Sequence, residues 1–133
     1  MDLQLKKLNK PTKGDVDQDI NWLCHSFGLC SGRDTQYTSK KIVAQILDKA
    51  SEKEEVKSEG IAYDLGLSQG LVNHHLRSLI SSGIIIRDKK RIYIRGGSLK
   101  QAVREIKREA IAMFEDIEDM AEEIDQELGL ESR

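Results

Sequence analysis

Apolar residues recur along this chain in two rhythms, one helical and one strand-like. Val16, Ile20, Leu23 and Phe27 are spaced by three or four and predict a first helix, capped by Asp15 or Asp17. Trp22 lies off that stripe, and Gly28 with Ser31-Gly32-Arg33-Asp34 predicts a loop. Ile42, Val43, Ile46, Leu47 and Ala50 predict a second helix opened by Thr38 or Ser39 and softened at its end by the polar run Ser51–Lys57. A short helix from Ser58 carries Ile61, Ala62 and Leu65 and stops at Gly66. After the turn Gly66-Leu67-Ser68, a longer helix capped by Ser68 presents Leu71, Val72, Leu76, Leu79 and Ile80 on one side and ends at Gly83. The rhythm then changes. Two β-branched runs, Ile84-Ile85-Ile86 and Ile92-Tyr93-Ile94, flank the polar segment Arg87–Arg91 and predict a β-hairpin. Gly96-Gly97-Ser98 breaks the strand, and from Leu99 to about Leu128 no breaker occurs, which allows a helix about 45 Å long at 1.5 Å per residue.

This order predicts a mainly α fold with a small β-hairpin wing: a winged helix-turn-helix domain, an N-terminal helix and a long C-terminal dimerisation helix. Along the 133 residues the divisions fall at 1–14 (a flexible basic tail), 15–37 (N-terminal helix and loop), 38–97 (the DNA-binding winged domain) and 98–133 (the dimerisation helix). A core of Ile42, Val43, Ile46, Ile61, Ala62, Leu65, Val72, Leu76 and Leu79 fixes the second helix of the helix-turn-helix pair, so that its opposite face projects outward. That face carries Gln69, Gly70, Asn73, His74, Arg77 and Ser81, spaced by three and four. An α-helix fits the major groove of DNA, where Asn and Gln pair with adenine and Arg with guanine. Ser68 and Gln69 stand where a helix N-terminus offers backbone N–H groups to a phosphate. Arg87, Lys89, Lys90 and Arg91, with Arg95 nearby, supply backbone or minor-groove contacts from the wing. His75 turns toward the Leu71–Leu79 side and reads as a core-edge histidine bonded to the scaffold.

Composition narrows the function classes. No run approaches the ~18 apolar residues of a membrane span, and no apolar stretch follows the polar start, so the expectation is a cytoplasmic protein without membrane attachment. The net charge of −2 conceals a segregation: +3 over residues 1–14, −3 over 15–37, 0 over 38–83, +5 over 84–100 and −7 over 101–133. Attraction to phosphate acts over about a Debye length, ~8 Å at physiological salt, so the local basic wing outweighs the global sum. No nucleophile–base motif, phosphate-cradling glycine loop or zinc signature occurs, which argues against an enzyme and against a cofactor. Cys24, His25 and Cys30 form the one soft-ligand cluster, too few and too poorly spaced for a structural zinc site, and no metal site is expected. The acidic run Glu115–Glu127 lacks the spacing of a calcium loop and reads as a solvated face.

The stretch Leu67-Ser68-Gln69-Gly70-Leu71-Val72-Asn73-His74-His75-Leu76-Arg77-Ser78-Leu79, continuing to Ser82-Gly83-Ile84-Ile85, resembles the recognition helix of ArsR-type transcriptional regulators. The likeness extends from about Thr38 to Arg95 across the winged-helix domain, and a fainter similarity to archaeal members reaches Asn21-Trp22-Leu23-Cys24 and Arg33-Asp34. The resemblance implies a homodimeric repressor or activator that binds double-stranded DNA, with Gln69, Asn73, His74 and Arg77 at the DNA-facing positions. Gly70 and Asn73 stand where the family has a small residue and a serine, so base preference does not transfer. Metal-sensing members carry a Cys-x-Cys pair on the short helix or His and carboxylate ligands on the terminal helix. Here the short helix reads Glu59-Gly60-Ile61-Ala62-Tyr63-Asp64 and no His follows His75.

Along the terminal helix, Leu99, Val103, Ile106, Ala110, Met113, Ile117, Met120 and Ile124 are separated alternately by four and three, a heptad seam that predicts the dimer interface. Phe114, Ala121, Leu128 and Ile111 widen the stripe, which implies contact with the first helix as well. A winged-helix module that binds protein, with no operator of its own, is the alternative, because fold alone does not choose between these uses.

Overall fold

The computed structural model describes residues 1–12, 15–29 and 38–131. Its helices are α1 (Val16–Ser26), α2 (Thr38–Ser51), α3 (Ser58–Leu65), α4 (Gln69–Ser82) and α5 (Leu99–Leu128), with strands β1 (Ile85–Asp88) and β2 (Arg91–Ile94) between α4 and α5. Polar side chains start three of the helices. Asp15 Oδ1 accepts from Gln18 N at 2.8 Å, Ser68 Oγ from Leu71 N at 3.2 Å and Ser98 Oγ from Gln101 N at 3.2 Å. Gly66 ends α3 in the left-handed region (φ 66°), and its N–H returns to Ala62 O and Tyr63 O, which sets the tight turn into α4.

The predicted winged core forms as one cluster. Ile42, Ile46 and Ile61 from α2 and α3 close over Val72, Leu76 and Leu79 of α4 with almost no exposure, and Ile84, Ile85, Ile92 and Ile94 seal it from the hairpin side. Leu71, expected on the buried side, is instead 39% exposed, because Val72 takes the inward position at the helix start. Val16 likewise stands exposed in the first turn of α1, where Ile20, Cys24 and Phe27 form the buried stripe.

The hairpin is tighter than the sequence suggests. Its register pairs Ile85 with Ile94, Ile86 with Tyr93, Arg87 with Ile92 and Asp88 with Arg91, which leaves only Lys89 and Lys90 in the turn. Lys89 adopts φ 58° to close it. Arg87 and Arg91, read from the sequence as loop residues, are therefore strand residues. A third extended segment joins the wing where Ile92 N donates to Val56 O at 2.9 Å and Lys57 pairs with Arg91.

α5 leaves the domain after one anchored section. Ala102 and Ile106 are buried, and Leu99 and Val103 pack against the core, but every residue from Ile111 to Leu128 is exposed. Ile106 thus belongs to its own domain's core (3% exposed) and not to a free seam, which corrects its assignment to the dimer interface. The close fit explains Gly83 at the end of α4. Its φ is 90°, and a Cβ there would lie 3.0 Å from Ile106 Cγ1.

Residues 1–12 contain no helix or strand, yet they run along the domain: Asp2 N donates to Ser81 O at 2.8 Å, Lys6 N to Ser26 O at 2.9 Å, and Leu3 packs against the core. Such pinning revises the expectation of a free tail for this part of 1–14. Cys30 and the loop Ser31–Asp34 lie outside the described residues, as do Lys13 and Gly14. Among the described residues, no helix is long and apolar enough to cross a membrane.

Candidate nucleic-acid interface

α4 and the hairpin form one polar surface. Ser68, Gln69, Gly70, His74, Arg77 and Ser81 are exposed, while Val72, Leu76 and Leu79 on the opposite side of the same helix anchor it. Helical geometry puts residues 70, 73, 74, 77 and 81 on one face, since 70 to 73 and 74, 73 and 74 to 77, and 77 to 81 are all steps of three or four positions.

Two of the predicted reading residues are tethered. Gln69 Nε2 donates to Ser58 Oγ at 3.3 Å, and the same hydroxyl accepts from Arg87 Nη2 at 3.2 Å. Arg87 Nη1 donates in turn to Asn73 Oδ1 at 3.4 Å, and Asn73 is half-buried. The wing strand, the first residue of α3 and the outer face of α4 are thus joined through one guanidinium. Asn pairs with adenine through both its carbonyl and its amide, and in this structure the Asn73 carbonyl is already engaged by Arg87. His74 and Arg77 are exposed and project from the same face.

The two adjacent histidines separate by role. His75 Nδ1 lies 2.8 Å from Ser39 Oγ on α2, and that hydroxyl also donates to Leu29 O at 3.1 Å. His75 therefore holds α4 to α2, the scaffold role read from its position. His74 meets it edge-on, with ring centroids 5.4 Å apart and planes at 75°, and turns outward.

The wing divides its charges. Lys89 and Lys90 stand exposed at the tip. Arg91 Nε lies 2.8 Å from a Glu55 carboxylate oxygen, which Lys57 Nζ also approaches at 3.3 Å. Lys57 first, and Arg91 with it, hold the Glu55 carboxyl below the usual carboxylate range, so part of the Arg91 charge is answered within the protein. Arg95 turns away from this surface. Its Nε lies 2.7 Å from Glu105, and its Nη2 pairs with Glu109, which clamps the end of β2 onto α5. The expected DNA contact from Arg95 is therefore replaced by a structural one.

Sequence reasoning missed the Ser58 hydroxyl as a shared acceptor and Arg95 as a clamp. For Arg95 a signal existed: Glu105 and Glu109 are four apart, hence on one face of α5. Ser58 offered none, since its partners lie 11 and 29 positions away.

Other candidate chemistry does not assemble. Among the described residues, no group of three or more His, Cys, Asp or Glu is arranged to hold a metal ion, and Cys24 is buried in the core with Cys30 outside the described residues. Residues 40–87 match the family model described as bacterial regulatory protein, arsR family. The matched segment contains α3, the tight turn, α4 and most of β1, and it supports a DNA-binding transcription regulator built on an ArsR-like winged helix. No curated protein and no solved structure matches the chain.

Proposed function

We propose that this chain, whose residues 40–87 form an ArsR-like helix-turn-helix, regulates transcription as a homodimer that recognises a specific sequence in double-stranded DNA. In this reading residues 38–97 are the DNA-binding unit and 98–133 the dimerisation helix. α4 enters the major groove. His74 and Arg77 meet base edges first, Asn73 joins them as Arg87 lets go, and Ser68 and Gln69 approach a phosphate at the helix N-terminus. Lys89 and Lys90, with Arg87 and Arg91 behind them, lie along the flanking backbone or minor groove.

The observation that carries this reading is the continuity of the surface. The exposed His74–Arg77 face and the basic tip of the wing lie on one side of the domain, and Arg87 bonds the two elements together. A preset angle between reader and wing avoids the entropy cost of ordering them on DNA. The seam on α5 at Met113, Ile117, Met120 and Ile124 supports the dimer because those apolar side chains are exposed in one copy, while Ala110 before them is half-buried.

Selection of bound sequences from a random duplex pool tests the proposal. A two-fold symmetric dimer is expected to enrich a pseudo-palindrome with half-sites about 34 Å apart. Recovery of the starting pool, with no enriched motif, rejects sequence-specific regulation and favours the protein-binding module.

A further inference from the structure

Two polar atoms of α1 are buried with no hydrogen-bond partner among the described residues: the side-chain oxygen Oδ1 of Asn21 and the indole Nε1–H of Trp22. A buried donor or acceptor left unpaired keeps the full cost of its lost hydration. The two do not answer each other, because consecutive residues of a helix point to different sides. The domain core takes Ile20, Cys24 and Phe27 from this helix instead.

Both residues line one cavity of about 400 Å³, within the range of small-molecule sites. α1 forms one wall with Gln18, Asn21, Trp22 and His25, and the N-terminal segment forms the other with Leu8, Asn9 and Pro11. Those walls define what fits. Leu8, Pro11 and the indole give apolar cover, while the three amides and the imidazole both donate and accept. Among the described residues no carboxylate, ammonium or guanidinium lines the cavity, so nothing there offsets the dehydration of an ion. The N-terminal wall is also free to shift. Among the described residues the backbone bonds from that segment to the domain are at Asp2 and Lys6, so Leu8, Asn9 and Pro11 can part from α1 and uncover the two atoms.

We propose that the cavity between α1 and the N-terminal segment binds a small uncharged ring carrying a lactam edge, the chemical class of uracil. A lactam offers a carbonyl oxygen to the Trp22 N–H and an N–H to Asn21 Oδ1, and its ring takes the apolar cover. A purely apolar molecule would leave both atoms unpaired, and an ion would lose its hydration without gaining an opposite charge. The site uses no residue of α4 or the wing and stands apart from the homodimer reading.

Trp22 is the chain's one tryptophan, so its indole N–H gives a single proton–nitrogen resonance in the isotope-labelled full chain. Titration with uracil is expected to move that resonance downfield, as a newly bonded N–H does, with half-saturation at about 1 mM for so small a ligand. No saturable movement up to about 10 mM overturns the proposal. Benzene keeps a ring without the lactam, and acetate keeps an acceptor oxygen but carries charge. Saturable binding of either at the concentrations where uracil binds overturns the proposal, since the cavity then selects apolar bulk or anions. Asn21→Leu keeps the side-chain volume and removes the amide. It is expected to raise the half-saturation point for uracil about tenfold while leaving the unfolding temperature of the ligand-free protein unchanged or higher, because an unpaired buried atom is gone. Unchanged uracil affinity in this variant overturns the proposal. A marked fall in its unfolding temperature does so too, because the amide is then already satisfied without ligand.

Discussion

Arg87, a strand residue of the wing, donates to Asn73 on the recognition helix at 3.4 Å, and through its other nitrogen to Ser58 at 3.2 Å. One guanidinium therefore bonds both the outer face of α4 and the start of α3, and holds the amide that we propose reads a base. The bonds are exposed or half-exposed, so their net worth to folding is modest, about 1 kcal/mol. Arg87→Ala is expected to leave thermal unfolding nearly unchanged while it relaxes base preference at the position read by Asn73. Comparing motifs selected by parent and variant checks this, and an unchanged motif with uniformly weaker binding assigns Arg87 to phosphate contact alone.

Arg77 and the two tip lysines are expected to fail differently. If the exposed Arg77 reads a base as proposed, Arg77→Ala should cost about 1–3 kcal/mol on the selected sequence and far less on random duplex. Lys89→Ala with Lys90→Ala should weaken both duplexes alike and reduce the slope of log affinity against log salt by about 0.9 per lost phosphate contact. Binding isotherms at several salt concentrations separate the two patterns. Equal losses on both duplexes for Arg77→Ala remove its base-reading role.

The parts of this fold that are fixed by neighbours in sequence were readable from it. Ser68 as cap, Gly66 and Gly83 as left-handed stops, and the three-and-four spacing of α4 each depend on contacts within one turn. The hairpin turn was overestimated because Arg87, Asp88 and Arg91 are polar, yet on an exposed strand face polar residues are compatible with pairing. Contacts made across elements were not legible at all. Nothing in Asn73 or Ser58 announces Arg87, and a heptad step at Ile106 does not say whether the partner is another copy or the residue's own domain.

The Arg95 clamp predicts a response to acid. Its guanidinium, through a hydrogen bond and its charge, holds the Glu109 carboxyl below the ordinary carboxylate value of 4.5. A carboxyl depressed in the folded state contributes stability above its unfolded value, and that stability is lost as pH falls through the folded one. The loss therefore falls below about pH 4.5, not near neutrality. Unfolding temperatures measured between pH 3 and 6 (roughly the range over which a carboxyl titrates) should fall less steeply for Glu109→Gln than for the parent protein. Parallel profiles show that the pair adds nothing, as exposed ion pairs often do not.

Two isoleucines of α5 are expected to respond differently to truncation. Ile106 is 3% exposed within its own domain, whereas Ile117 is 61% exposed. Truncating a buried isoleucine removes apolar contact and leaves a cavity, so Ile106→Ala should destabilise the domain by about 2–5 kcal/mol at any protein concentration. Truncating Ile117 leaves no cavity in a single copy and should change the unfolding of dilute protein by less than about 0.5 kcal/mol. At high concentration the same variant should lose stability, because a partner that covers Ile117 stabilises the folded state by mass action. Chemical denaturation at two concentrations a hundredfold apart, roughly the span over which a bound partner's effect becomes plain, reads both variants in one experiment. If Ile117→Ala follows the parent protein at both concentrations, no second copy covers that side chain, and the helix must meet something else there or nothing.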